Sequence, residues 1–280
     1  MSAKESNLAM RLMTAAVMVP IILTLVFVTP PWSFYLLALP AALLGVQELL
    51  AMTHPNDAPS RAIGVLVAAA ASVAVFFFHD DPRVLVAVMV VVPMVGPLVT
   101  LVRVGSIETA ALRACALGFG PLFIAIPLTL LALMRTTLGV AGSGAVFLAI
   151  GLGWFTDTGA YFAGRFLGRR KLYEAVSPKK TVEGALGGLV ASVVWAVFGS
   201  LTFARALLPL SHAVPLAIVG GALGQAGDLA ESLFKRSTGV KDSGAIVPGH
   251  GGMLDRIDAL LVTSVVVYLY AQWVYRPAIG

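Results

Sequence analysis

Charge is scarce in this sequence. Asp, Glu, Lys and Arg make up 12% of its 280 residues, about half the roughly 25% of an ordinary soluble domain. Hydrophobic residues fill 59% of the chain, and the mean hydropathy is +0.93. A water-soluble core has no use for that much apolar surface, so the solvent must be a bilayer. Cysteine is nearly absent. Cys115 stands alone in an apolar run, which excludes an intrachain disulfide and any Cys-based metal site. Internal repeats and low-complexity tails are missing too. The basic balance, with a sequence pI near 9.6, does not indicate nucleic acid, because the basic residues lie between apolar runs. They read as topology determinants and as contacts for anionic lipid or phosphate.

What is present is a series of apolar segments, centred on 12–29, 32–53, 61–78, 83–102, 110–134, 143–163, 184–208, 213–232 and 254–275. Each can hold a spanning helix of about 20 residues. The expected fold is therefore all-α, a polytopic helical bundle of about nine transmembrane helices with no separate soluble domain. The first run follows Lys4 and Arg11 as in a signal peptide. It ends in Thr29-Pro30-Pro31 without a small-residue cleavage pattern, so it is read as a retained span.

With the N-terminus inside, fifteen of the 19 Lys and Arg residues fall on the cytoplasmic side, leaving Arg83, Arg135, Arg205 and Arg276 opposite. The positive-inside bias then predicts a cytoplasmic N-terminus and a C-terminus across the membrane. The two longest connections, about 164–183 and 233–253, fall on the cytoplasmic face, within reach of a soluble nucleotide. Trp32, Trp154, Trp195 and Trp273 are read as candidates for the interfacial aromatic belt. Gly118, Gly120, Gly187 and Gly188 are read as helix-packing residues.

Most of the polar chemistry is concentrated in one interval, Ser232 to Asp258. Asp228, Glu231, Asp255 and Asp258 lie at or inside predicted spans, where each acid costs about 2.5–3.5 kcal/mol at mid-depth and is functional by default. Asp228 and Glu231 are i, i+3, as are Asp255 and Asp258, so each pair shares a helix face. Two such faces can hold a hard cation between them. All-oxygen donors favour Mg²⁺ over Zn²⁺, with one or two carboxylates and substrate phosphates completing the shell. Lys235, Arg236 and Lys241 supply cations for phosphate. Gly249, Gly251 and Gly252 allow close backbone approach and an anion nest, with His250 between them as a donor. Glu48, beside Gln47, is read as a helix-packing hydrogen-bond partner or as the cytoplasmic end of its span, outside the site.

A second constellation runs from Trp154 to Gly184. Asp157 and Tyr161 are i, i+4 within a span, and Arg165, Arg169, Arg170 and Lys171 follow. Ser177-Pro178-Lys179-Lys180-Thr181 precedes the next apolar run, which Thr181 is placed to cap.

The downstream interval combines Ser, Lys-Arg, Lys-Asp, Pro-x-His-Gly-Gly and Asp-Arg-x-Asp at fixed spacing, and this closely resembles the signature of the phosphatidate cytidylyltransferase family. Val247 stands where that family usually carries Leu, Ile or Phe. The upstream Asp-x-x-Ala-Tyr and Ser-Pro-Lys-Lys-Thr-x-Glu-Gly elements resemble it too, although membrane enzymes that phosphorylate polyprenols share parts of them. Residues 1–110 match only as apolar spans, so the chain is divided into these N-terminal helices and a catalytic region over 111–280.

The resemblance implies CTP and phosphatidate as substrates in a multi-pass cell-membrane enzyme, with CDP-diacylglycerol and pyrophosphate as products. It also implies Mg²⁺ and allows a second, monovalent cation, and it leaves a homodimer open. Asp228, Asp255, Asp258, Lys241 and His250 are the expected catalytic residues. Metal ligands are sought first in Asp228 and Asp255, then in Asp258 and Glu231. Ser177, Lys179, Lys180, Thr181, Lys235, Arg236, Asp242, Gly251, Gly252 and Arg256 are expected to bind substrate. Two alternatives stand beside this: a CTP-dependent kinase or cytidylyltransferase for another lipid, and an ion-coupled transporter.

Overall fold

The computed structural model describes residues 3–244 and 251–275, and the side chains of 3–12 and 15 fall outside that description. Among the described residues ten α-helices follow one another: α1 Ala3–Phe27, α2 Tyr35–Thr53, α3 Ala58–Phe77, α4 Pro82–Val102, α5 Ala110–Gly120, α6 Ile126–Thr137, α7 Val140–Leu167, α8 Val182–Leu201, α9 Leu210–Ser237 and α10 Leu254–Trp273. Between α5 and α6 one π-helical turn, Pro121–Ala125, keeps the pair a single span. Pro121 has no N–H to close an ordinary i→i−4 bond, and a π turn absorbs the defect.

Among the described residues, seven spans are long and apolar enough to cross a membrane. They coincide with seven of the nine expected segments. The other two are also helical. In α1 only Ala16–Phe27 qualifies, as a shorter apolar stretch, and α10 carries Asp255, Arg256 and Asp258 in its first turns. The protein is a multi-pass, all-helical membrane protein. One element departs from a purely helical expectation. The connection after α7 forms a small antiparallel hairpin, β1 Lys171–Tyr173 and β2 Ser177–Thr181, pairing Lys171 with Thr181 and Tyr173 with Ser177.

The helices cluster into two units of packing, residues 1–132 with 238–257 and residues 133–237 with 258–280. The division expected at residue 110 concerns role, not packing.

In the first unit Tyr35 stacks on Phe76 at 3.8 Å between centroids. Its hydroxyl lies 2.9 Å from Ser72 Oγ, which lies 2.7 Å from Thr129 Oγ1. Buried hydroxyls are thus chained instead of stranded in an apolar interior. α4 and α5 approach backbone to backbone, and a Cβ on Gly118 would stand 2.6 Å from the Pro93 carbonyl oxygen. Asp57 caps α3 by accepting from Ser60 N and also pairs with Arg103 at the end of α4. The Arg103 guanidinium holds the Asp57 carboxyl well below the usual carboxylate range. A depressed carboxyl stabilises the fold above its unfolded pKa, so this tie persists at neutral pH and is lost only as pH falls through the depressed value.

The second unit is built on α7 against α8. Gly159 and Gly187 face each other's helices across small residues, and a Cβ on Gly159 would lie 2.5 Å from Ala191 Cβ. A Cβ on Gly188 would lie 2.8 Å from the Thr156 carbonyl oxygen. Without a hydrophobic drive between helices in lipid, such close approach supplies the packing. Glycines 118, 120, 187 and 188 all sit at helix contacts, as expected.

Trp195 departs from expectation. It is 6% exposed, stacks on Phe155 at 4.4 Å, and donates Nε1–H to the Leu148 carbonyl at 3.2 Å. It is a core residue and not part of an interfacial belt, because Gly151 vacates the space its ring fills. Gly151→Ala would drive a methyl into that ring. We expect it to cost about 1–3 kcal/mol, as overpacking does, measured as a lowered midpoint of thermal unfolding in detergent.

Candidate active site

α7, the hairpin, α8 and α9 of the second unit enclose a cavity of about 420 Å³, within the roughly 300–1,000 Å³ of small-molecule sites. Asp157, Tyr161 and Arg165 reach it from α7, Lys179, Lys180 and Thr181 from the hairpin, and Gln225 and Asp228 from α9. The α7 residues recur at i, i+4 and i+8, which places them on one face. Arg165 points its guanidinium at the Tyr161 hydroxyl, 3.5 Å away.

The hairpin brings its lysines into place because it is tied at base and tip. At the base, Glu183 accepts from the backbone N–H of Arg169 and Arg170 at 2.9 and 3.1 Å, and from the Arg170 side chain at 3.0 Å. At the tip, Arg236 donates Nε–H to the Val176 carbonyl at 3.3 Å. Lys171 Nζ donates to the Pro178 carbonyl across the strands. Thr181 accepts from Gly184 N at 3.1 Å and so caps α8, as its position in the sequence predicts.

Lys180 then crosses the cavity to α9. Its ammonium lies 2.5 Å from Asp228 Oδ2, with both side chains about one quarter exposed. One turn further along α9, the buried Glu231 meets Lys235 at 2.6 Å. Asp228, Glu231 and Asp258 form a cluster whose ligand oxygens all lie within 4.8 Å of one another. Asp157 is close enough for its charge to act on Asp258. Several carboxylates so close repel one another, and the two lysines offset only part of that charge. The cluster suits a hard divalent cation held by oxygen donors.

The first unit holds Lys241, Asp242, Gly251, Gly252, Asp255 and Arg256. Asp255 Oδ2 accepts from Ser243 N at 3.1 Å and Gly252 N at 3.0 Å. The N–H that Gly252 would offer to an anion is therefore directed to a carboxylate of the chain itself. Gly251 has φ +84°, the backbone that the close-turn argument requires. Lys241, Asp242 and Arg256 are exposed. Ser177 lies on β2, partly exposed. His250, with Gly249 and Val247, lies outside the described residues.

Sequence reasoning left four polar cavity residues without a role: Asp157, Tyr161, Arg165 and Gln225. The first two were visible as an i, i+4 pair, whereas Gln225 had no local signal. Glu48, read from the sequence as lying outside the site, is 4% exposed in α2. Its carboxylate accepts from Ser243 Oγ, Met253 N and Leu254 N, each at 2.8 Å. The helix-packing alternative was the nearer of its two readings, but its partners are a loop and the first turn of α10.

The profile of the cytidylyltransferase family matches residues 9–274. Among curated proteins, the phosphatidate cytidylyltransferase of Bacillus subtilis is 46% identical over 123 residues, 44% of this chain and 45% of that protein. The proteins of the same name from Staphylococcus saprophyticus and Staphylococcus aureus are 49% and 45% identical, each over 39% of this chain and 41% of the relative. The matched stretch thus spans less than half the length of these relatives. The family profile covers nearly the whole sequence, and the chain belongs to the cytidylyltransferase family.

Proposed function

We propose that the protein is a CTP:phosphatidate cytidylyltransferase. The observation that carries this is the meeting, at one cavity, of lysines on a hairpin with carboxylates on α9. Lys180 reaches Asp228, and the three-acid cluster begins at that same residue. Phosphate-binding cations and metal-binding acids side by side are what nucleotidyl transfer uses. The relatives' printed name supplies the lipid partner.

In the proposed step a phosphatidate phosphate oxygen attacks the α-phosphorus of CTP. The bond from that phosphorus to the β-phosphate oxygen breaks, and pyrophosphate leaves with the electron pair. Such transfers depend on positioning and charge neutralisation and need no protein nucleophile. Lys179, Lys180 and Arg165 line the cavity where triphosphate charge would be received, with Ser177 and Thr181 beside them on the hairpin strand. Lys235 and Arg236 follow on α9. Asp228, Glu231 and Asp258 would hold Mg²⁺, which would supply Lewis-acid neutralisation of phosphate oxygens. Asp255 and Arg256 stand in the first turn of α10, and Lys241, Asp242, Gly251 and Gly252 precede it, with His250 outside the described residues.

The test is a product assay with labelled CTP and phosphatidate, with and without Mg²⁺. Metal-dependent appearance of CDP-diacylglycerol with equimolar pyrophosphate is expected. A phosphorylated lipid alcohol with CDP would indicate a kinase instead. No CTP-dependent chemistry at all would indicate a transporter.

The orientation follows from charge. With a cytoplasmic N-terminus, both the hairpin and the loop before α10 face the nucleotide supply, and fifteen of 19 basic residues lie inside. Reporter fusions at Ser2 and Gly280 should report opposite sides. The same side for both would overturn this topology.

A further inference from the structure

We infer that Glu48, in the N-terminal half of the chain, is a positioning residue for the transfer, acting through the start of α10. It rests on the proposed function, in which the Asp-Arg-x-Asp element of α10 serves the reaction.

Three observations converge on Glu48. It is buried in an apolar helix, where a carboxylate is costly unless it is fully engaged. Its two oxygens take three donors from residues about two hundred positions away in sequence: Ser243 Oγ and Leu254 N on Oε2, and Met253 N on Oε1, all at 2.8 Å. The backbone on both sides of the loop closes on it. A Cβ on Gly244 would stand 2.6 Å from Oε1, and one on Gly252 would overlap Oε2.

The amides of Met253 and Leu254 belong to the orphan donors that every helix leaves at its N-terminus. Here the capping acceptor comes from another helix, and a negative charge at that end also suits the helix dipole. Glu48 therefore sets where α10 begins, and with it the turn that presents Asp255. Asp258 stands one turn further along the same helix.

Glu48→Gln is the sharp probe, because it keeps length and shape. In either orientation of the amide, one of the two backbone N–H groups loses its acceptor and faces a donor. Glu48→Met removes every acceptor at similar length. Turnover with CTP and phosphatidate should fall about 10- to 100-fold in Glu48→Gln, and further in Glu48→Met. KM for CTP should move much less than kcat. Hydrogen–deuterium exchange supplies a readout independent of activity. The amide of Met253 or of Leu254 should exchange faster in Glu48→Gln, and both in Glu48→Met, while peptides from α7 and α8 keep their protection.

Retention of more than half the turnover in Glu48→Gln would overturn the inference. So would unchanged exchange at the start of α10. Loss of activity with uniformly faster exchange across the chain would show a general stabilising role only, and would overturn it as well. A wild-type protein that makes no CDP-diacylglycerol would instead overturn the proposed function. The exchange result would then decide separately whether Glu48 anchors α10.

Discussion

Asp258→Asn should abolish cytidylyl transfer while leaving the protein folded. Asp258 shares a cluster with Asp228 and Glu231, with ligand oxygens within 4.8 Å of one another. Asn matches Asp in size, so packing around α10 is kept. What changes is charge, and a neutral amide is a poor partner for Mg²⁺. Replacing even an outer-shell partner of a metal typically costs about 10–100-fold, so turnover should fall by more than that. Thermal stability should hold or rise, because one of several mutually repelling carboxylates has been neutralised.

Asp255→Asn is the informative comparison, since spacing alone put Asp255 among the first candidates for metal ligation. Its Oδ2 already accepts two backbone N–H groups, from Ser243 and Gly252. An Asn carbonyl oxygen in the same place can accept both. The turn should survive, and the loss of turnover should be smaller than for Asp258→Asn. Mn²⁺ binding followed by electron paramagnetic resonance separates the two cases without turnover. Affinity should drop in Asp258→Asn and change little in Asp255→Asn. Equal losses would return Asp255 to the metal shell, as the two-helix pairing of acids first suggested.

That ranking shows where sequence is sufficient and where it stops. The spans were legible because a bilayer imposes one length and one polarity on every crossing helix. Asp228 with Glu231, and Asp157 with Tyr161, were legible because i, i+3 and i, i+4 spacing on a helix is already three-dimensional information. Thr181 as the cap of α8 was legible for the same local reason. Trp195 was misplaced because its environment is made by Gly151 on another helix, and no window of sequence contains both. The partners of Glu48 were hidden for the same cause, since Ser243, Met253 and Leu254 lie about two hundred residues away. The hairpin was hidden in a connection that reads simply as basic and polar. Its shape depends on Glu183 and Arg236 holding its ends, and that too is a long-range fact. Local periodicity therefore located the candidate acids but could not say that Asp228, Glu231 and Asp258 come together.

Gly252→Ala should be nearly as damaging as loss of a site acid, although it removes no functional group. A methyl there would overlap Ser243 Oγ and Glu48 Oε2. Neither neighbour can simply swing aside, because they hold each other at 2.8 Å and the same Glu48 oxygen also takes Leu254 N. Relief requires Gly252 to back away, which breaks its N–H bond to Asp255, or Glu48 to withdraw, which uncaps α10. Each route leaves a buried polar group unsatisfied, at about 1–3 kcal/mol, and shifts the turn carrying Asp255. We expect turnover to fall about 100-fold or more if both bonds are lost.

Gly239→Ala is the control. Gly239 has φ +76° and nothing within 4 Å of an added Cβ, so Ala there suffers only the backbone cost of roughly 1 kcal/mol and should keep most activity. Turnover is read with labelled CTP and phosphatidate, alongside unfolding midpoints in detergent. If Gly252→Ala loses no more activity than Gly239→Ala, the close contact of Gly252 with Ser243 and Glu48 does not govern turnover, since Gly252 lies outside the left-handed region and carries no backbone cost as Ala. If Gly252→Ala unfolds at the wild-type temperature yet turns over slowly, the contact is one of position. The close packing of Gly252 on Glu48 would then be what holds the start of α10 in register for the reaction.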